Sequence, residues 1–231
     1  MSGMGTIANT AAIICGTFLG LFLRRGLPEK WRETIMHGVA LCIVVIGLQM
    51  AFETKNIIIC VVSLVIGSIA GEWVDIENHL QRFGNWAGQK INNGSNGTSK
   101  KIADAFIADS LIYCVGAMAV VGSLQDGLMG DPTILYAKAT LDGIIAVILA
   151  ANMGVGVALS ALCVLAYQGT LTMLAGFLQP FMTDAVIAEV TACGGILIIA
   201  IGINMLKLLE IRLANQLPAV FIAGIVAYFV D

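Results

Sequence analysis

Residues 133–173 read TILYAKATLDGIIAVILAANMGVGVALSALCVLAYQGTLTM. A hydrocarbon core roughly 30 Å thick takes about 20 largely apolar residues per helix, so this stretch holds two membrane spans joined by the tight turn Gly154-Val155-Gly156. Within it, Lys138, Asp142 and Gln168 stand at depths that lipid tails occupy. A charge at the bilayer centre costs roughly 2.5–3.5 kcal/mol on insertion scales, so such residues face a partner or a water-filled cavity rather than lipid. Function is expected to sit here.

The rest of the chain fits the same class. Of 231 residues, 58% are hydrophobic and only 12% charged, with mean hydropathy +0.92, a composition that excludes an ordinary soluble domain. Eight spans are expected, at about 4–23, 35–52, 57–74, 105–124, 133–151, 155–178, 186–206 and 213–230, giving an all-α integral membrane protein. The six cysteines all fall in apolar runs without metal-ligand spacing and read as small packing residues. No basic tract for nucleic acid, catalytic triad or phosphate-cradling loop is present, and His37 and His79 sit at span ends, so an enzyme is not expected and no cofactor is implied.

Orientation follows from the basic residues. Ten of the 12 lysines and arginines fall in alternate loops, among them Arg24, Arg25, Lys30 and Arg32, then Arg82, Lys90, Lys100 and Lys101, then Lys207 and Arg212. The positive-inside rule makes that side cytoplasmic and puts both termini on the other. Between spans three and four, Ile76, Leu80, Phe83 and Trp86 recur at helical spacing, which predicts an amphipathic interfacial helix over residues 75–91. A polar linker, 92–104, follows and carries Asn93 and Asn96 in chance-level glycosylation patterns.

Two stretches repeat. VIGLQM (45–50) matches AIGINM (200–205), and IGSIAGEWVD (66–75) lies beside IAGIVAYFVD (222–231). Spans two and seven cross in opposite senses on the expected topology, the signature of an inverted repeat. The expected organisation is therefore a first repeat over 1–91, the linker, a central two-span hairpin over 105–151, and a second, inverted repeat over 152–231. Spans 1–3 and 6–8 form the halves.

Candidate site residues follow from depth. Lys138 and Asp142 are four apart on one helix face. They read either as a transport device, the carboxylate taking a proton or sodium, or as a pair that neutralises itself. Residues 166–172, AYQGTLT, put Gln168 and Thr170 at mid-span, as cation-coordinating groups or as helix glue. Asp109 and Glu189 lie about one turn inside their spans, and Asn9, Gln49, Asn152 and Asn204 carry the same two readings. Asp126 and Asp131, in the stretch QDGLMGDP, read as an outer loop reaching water or a helix N-terminus.

The segments IMHGVALCIVVIGLQMAF, CVGAMAVVGSLQDGLMGD, KATLDGIIA, YQGTLT, EVTACGGILIIAIGINML and NQLPA together resemble the YdfK/YqgA-like family of bacterial inner-membrane proteins. The resemblance covers nearly the whole chain and implies a bacterial plasma-membrane location. That family is of unknown function, so it carries over no binding residue. The expected activity is a secondary transporter moving a small polar solute or ion, with H+ or Na+ as coupling ion and the bilayer as partner. The alternatives are an ion channel, dimeric in one version, and a non-transporting scaffold or sensor.

Overall fold

A computed structural model describes residues 2–24, 28–79, 82 and 96–230. Its helices are α1 (Met4–Arg24), α2 (Glu29–Ala51), α3 (Ile57–Val74), α4 (Asn96–Cys114), α5 (Ala117–Met129), α6 (Thr133–Met153), α7 (Gly156–Met173), a short α8 (Ala175–Leu178), α9 (Asp184–Met205) and α10 (Pro218–Val230). Among the described residues there is no strand. Seven helical segments among the described residues are long and apolar enough to cross a membrane, and the count reaches eight if α4 and α5 together form one span.

That last pair falls on the span expected over 105–124 and is bent. The helix breaks between Cys114 and Ala117 and the two arms meet at 60°. Gly116 sits at φ +140°, a region open to glycine and strained for any other residue, which gives the bend its local cause. The expected outer loop around Asp126 is instead the second arm of this pair, and α4 already begins at Asn96, inside the expected linker. Of the expected interfacial helix, residues 76–79 are helical. Leu80, Gln81 and residues 83–91, with Asn93, lie outside the described residues.

The chain forms two compact units that interleave along the sequence, cutting across the linear division expected. Unit 1 takes Met1–Thr34, Gln81–Cys114 and Met118–Leu178. Its centre is α1 packed on α6, running in the same direction. Gly16 and Gly20 of α1, spaced as in G-x-x-x-G, lie against the backbone carbonyls of Gly143 and Val147, where an added Cβ would collide. Small residues at this spacing let two membrane helices approach to backbone contact. On the other side, α7 meets α4 through Gly156, whose added Cβ would lie 2.6 Å from the Ile102 carbonyl oxygen.

Unit 2 takes Ile35–Leu80, Val115–Ala117 and Gln179–Asp231. Here α2 lies antiparallel to α9, and α3 antiparallel to α10. Gly47 meets Gly195 and Ile199, while Gly202 meets Ala40 and Val44. In the alignment of VIGLQM with AIGINM, Gly47 corresponds to Gly202, Ala40 to Gly195 and Val44 to Ile199, so the two contacts exchange. The second pair behaves alike: α3 buries Ile59, Ser63, Gly67 and Gly71 on one stripe, and Asn215, Ala219, Ala223 and Ala227 are buried at the same four-residue spacing. These contacts lie within one unit and do not confirm the expected inverted repeat. They do not establish the three-span halves expected, because α1 and α7 belong to unit 1.

Candidate functional site

In unit 1 the faces that meet inside the helix packing are polar. Asp142 lies at mid-length of α6, 4% exposed, with Lys138 one turn earlier at 7%. The Lys138 ammonium donates to Asp142 Oδ1 at 3.0 Å and forms an ion pair with the same carboxylate, 2.8 Å from Oδ2. Asn9 of α1, fully buried, donates from Nδ2 to Asp142 Oδ2 at 2.9 Å and to Gln168 Oε1 of α7 at 3.3 Å. The Asn9 amide therefore links α1 to the Asp142 carboxylate of α6 and to Gln168 of α7.

Around this knot lie polar atoms that have no hydrogen-bond partner in the protein. Asn9 Oδ1, Gln168 Nε2, and the hydroxyls of Thr6 on α1 and Thr172 on α7 are buried and unpaired. On α4, both oxygens of Asp109, the Ser110 hydroxyl and the Tyr113 hydroxyl are in the same condition. Tyr113 is within electrostatic reach of both Asp109 and Asp142, so the α4 groups and the α6 pair share one electrostatic neighbourhood. More than nine in ten buried polar groups in folded proteins find a partner, so a concentration of unpaired ones marks a place built to meet something other than protein.

Depth alone finds Asn9, Asp109, Lys138, Asp142 and Gln168; helical spacing finds Thr6, Tyr113 and Thr172. Thr6 with Asn9, Asp109 with Tyr113, Lys138 with Asp142, and Gln168 with Thr172 are each three or four residues apart, so each of four helices turns one polar pair inward. Thr170, two residues beyond Gln168, is exposed and falls outside the site. Asp126 is also buried completely, on α5. Its Oδ2 accepts from the backbone N–H of Gly3 and of Gly5 at 3.1 and 3.2 Å, satisfying orphan donors at the start of α1 and meeting the positive end of that helix.

The remaining candidates, in unit 2 apart from Asn152, do different work. Glu189, 1% exposed on α9, accepts from the Thr54 hydroxyl (2.7 Å), Lys55 N–H (2.7 Å), Asn56 N–H (3.0 Å) and the Cys60 thiol (3.5 Å). Both its oxygens are used to hold the α2–α3 turn just ahead of α3, whose N-cap is Asn56. Asn204 exchanges hydrogen bonds with the backbone of Ile211 across the α9–α10 turn, and Gln49 is exposed, so neither joins a buried site. Asn152 bonds back to the Ile148 carbonyl in its own helix. At the α9–α10 turn, Glu72 takes Arg212 and Asn215, and Glu77 takes the Ala214 N–H. Among the described residues no group of three or more His, Cys, Asp or Glu side chains could hold a metal ion.

Comparison with known proteins agrees with a membrane protein. This chain is similar to the uncharacterized membrane protein YdfK of Bacillus subtilis (strain 168), 28% identical over 230 residues, covering 98% of this chain and 96% of that one. It is similar also to the uncharacterized protein YqgA of Escherichia coli (strain K12), 28% identical over 225 residues, 95% and 94% of the two chains. No solved structure matches. Residues 4–228 match the family described as protein of unknown function, DUF554, and the chain belongs to that family.

Proposed function

We propose that this protein is a small secondary transporter of the bacterial plasma membrane, moving a small polar solute with H+ or Na+ as coupling ion. The observation that carries the reading is the buried knot of Asn9, Lys138, Asp142 and Gln168 with its ring of unpaired polar atoms. Ionisable groups inside spans mark solute and ion pathways more often than they mark packing. The groups left unpaired beside the knot are an amide donor, an amide acceptor and two hydroxyls, and the Lys138–Asp142 charges cancel. That chemistry suits a neutral or zwitterionic solute. The lysine and arginine distribution favours termini on the non-cytoplasmic side.

The test begins with purified protein and a thermal-shift screen across amino acids, small amides, polyols and monovalent ions. A ligand present at 100 times its Kd adds about 2.7 kcal/mol of stability. Any hit is then followed as uptake into proteoliposomes under an imposed proton or sodium gradient. Saturable uptake driven by one gradient and abolished by Asp142→Asn is expected. Non-saturating single-channel currents would replace the carrier by a channel. A folded Lys138→Met, Asp142→Leu protein with unchanged solute binding and uptake would remove the knot from any pathway and leave a packing role.

A further inference from the structure

We propose that Asp109 and Tyr113 of α4 form a binding site for a monovalent cation, a proton or a sodium ion, distinct from the Lys138–Asp142 knot. The site would serve as the coupling-ion site of the transporter reading, on which only its purpose rests. Asp109 and Tyr113 are both fully buried, four residues apart, and so lie on one helix face with Cβ atoms about 5–6 Å apart. Neither carboxylate oxygen of Asp109 has a protein partner, nor does the Tyr113 hydroxyl or that of Ser110 beside it.

Charge accounting in unit 1 singles this carboxylate out. Lys138 already holds the Asp142 carboxylate, and Asp126 is turned to the N-terminus of α1. Asp109 alone among the three buried acids of this unit has neither a cation nor a helix N-terminus facing it. An uncompensated buried charge is unfavourable by several kcal/mol, and a bound cation removes the imbalance.

The backbone favours the same sign. Helix α4 ends at Cys114, one residue past Tyr113, and Gly116 at φ +140° stops it from continuing into α5. The last carbonyls of a helix lack intrahelical donors and carry the negative end of its dipole, so the turn bearing Tyr113 attracts cations. Broken helices at membrane depth place ion sites at such carbonyls in other transporter folds. Ionisable groups near this end of α4 include Lys138 and Asp142 of α6 and Cys163 and Tyr167 of α7, with Cys114 on α4 itself, while Tyr136 of α6 and Asp104 of α4 are exposed.

The experiment uses full-length protein in detergent and needs neither solute nor transport. Thermal midpoints are measured in sodium chloride against choline chloride at equal ionic strength. Infrared difference spectra then read the carbonyl stretch of any protonated buried carboxyl. A sodium site predicts saturable stabilisation by sodium, lost in Asp109→Asn and weakened about tenfold in Tyr113→Phe, which keeps the carboxyl. A proton site predicts no sodium response but a protonated-carboxyl band that vanishes in Asp109→Asn and shifts in Tyr113→Phe. A sodium response or band that survives Asp109→Asn, or the absence of both from the wild type, overturns the site. Should Asp109→Asn not fold, an unchanged sodium affinity and band in Tyr113→Phe overturns it equally. Absent uptake with intact cation binding removes the transporter reading alone; driven uptake with no response at Asp109 removes this site alone.

Discussion

The two units solve the membrane-interior problem in opposite ways. Of the eleven buried polar side-chain atoms without a protein partner among the described residues, ten belong to unit 1 and only Ser63 Oγ to unit 2. Unit 2 is packed on small residues, with Gly47 against Gly195 and Gly67 against Ala219, and its buried acid, Glu189, has both oxygens occupied. Without a hydrophobic drive between helices in lipid, close packing of small residues holds helices together, and unit 2 relies on it. Unit 1 uses the same device along α1 and α6, yet places around it polar groups that packing does not need. The contrast teaches that the polar interior is a feature of one unit and not a general property of this membrane fold.

The largest expected effect tests whether the unit 1 knot is dry. Replacing Lys138 with Met should destabilise the protein by about 3–5 kcal/mol, since it leaves Asp142 as an unpaired buried charge. Adding Asp142→Leu should recover most of that loss, read as unfolding midpoints in detergent. A single-substitution cost near zero would mean that Asp142 is well hydrated, and the contrast with unit 2 would then be one of water rather than of charge.

Next comes the packing of unit 2. At Gly195 an added Cβ would meet the Ala51 N at 2.5 Å and the Gly47 carbonyl oxygen at 2.7 Å, backbone atoms that cannot swing aside. Gly195→Val should therefore cost about 1–3 kcal/mol or more by overpacking. Glu189→Gln should cost slightly less, about 1–2 kcal/mol. It replaces one acceptor oxygen by a donor facing the N–H and hydroxyl groups of the α2–α3 turn. Solute binding and uptake should be untouched by it. If Glu189→Gln instead abolished uptake at unchanged stability, the acid would belong to the pathway and the two units would share the work.

How much of this was legible in the sequence depends on the range of the interaction. Spans are set by local length and hydropathy, so seven could be read directly, and depth alone picked out Asn9, Lys138, Asp142 and Gln168. The break at Gly116 could not be read, because a glycine in an apolar run is ordinary in membrane helices and only its φ distinguishes it. Depth does not separate Thr170 from Thr172, since both are hydroxyls at similar depth. Two residues along a helix turn a side chain by about 200°, so only Thr172 can share a face with Gln168. Glu189 looked like a pathway acid because the turn that uses it lies more than 130 residues earlier in the chain. The interleaving of the units has the same cause: helix pairing across such separations leaves no local trace.

The smallest expected effect lies outside the spans, at the entry to α6. Asp131 accepts from the Thr133 hydroxyl and N–H and from Gln125 Nε2, and these hydrogen bonds, the Thr133 hydroxyl first, hold its carboxyl below the usual carboxylate range. A carboxyl depressed in the folded state adds stability that is fully present above its unfolded value, about 3.9, and is lost as pH falls through the lower folded value. Wild type should thus lose a small increment of thermal stability on acidification below about pH 4. Asp131→Asn should lack that increment at neutral pH and lose correspondingly less on acidification. Since Asp131 is near water, the difference should be small beside that of Lys138→Met, and equal effects from the two would erase the distinction between a capped helix end and a buried charge pair on which the reading of unit 1 depends.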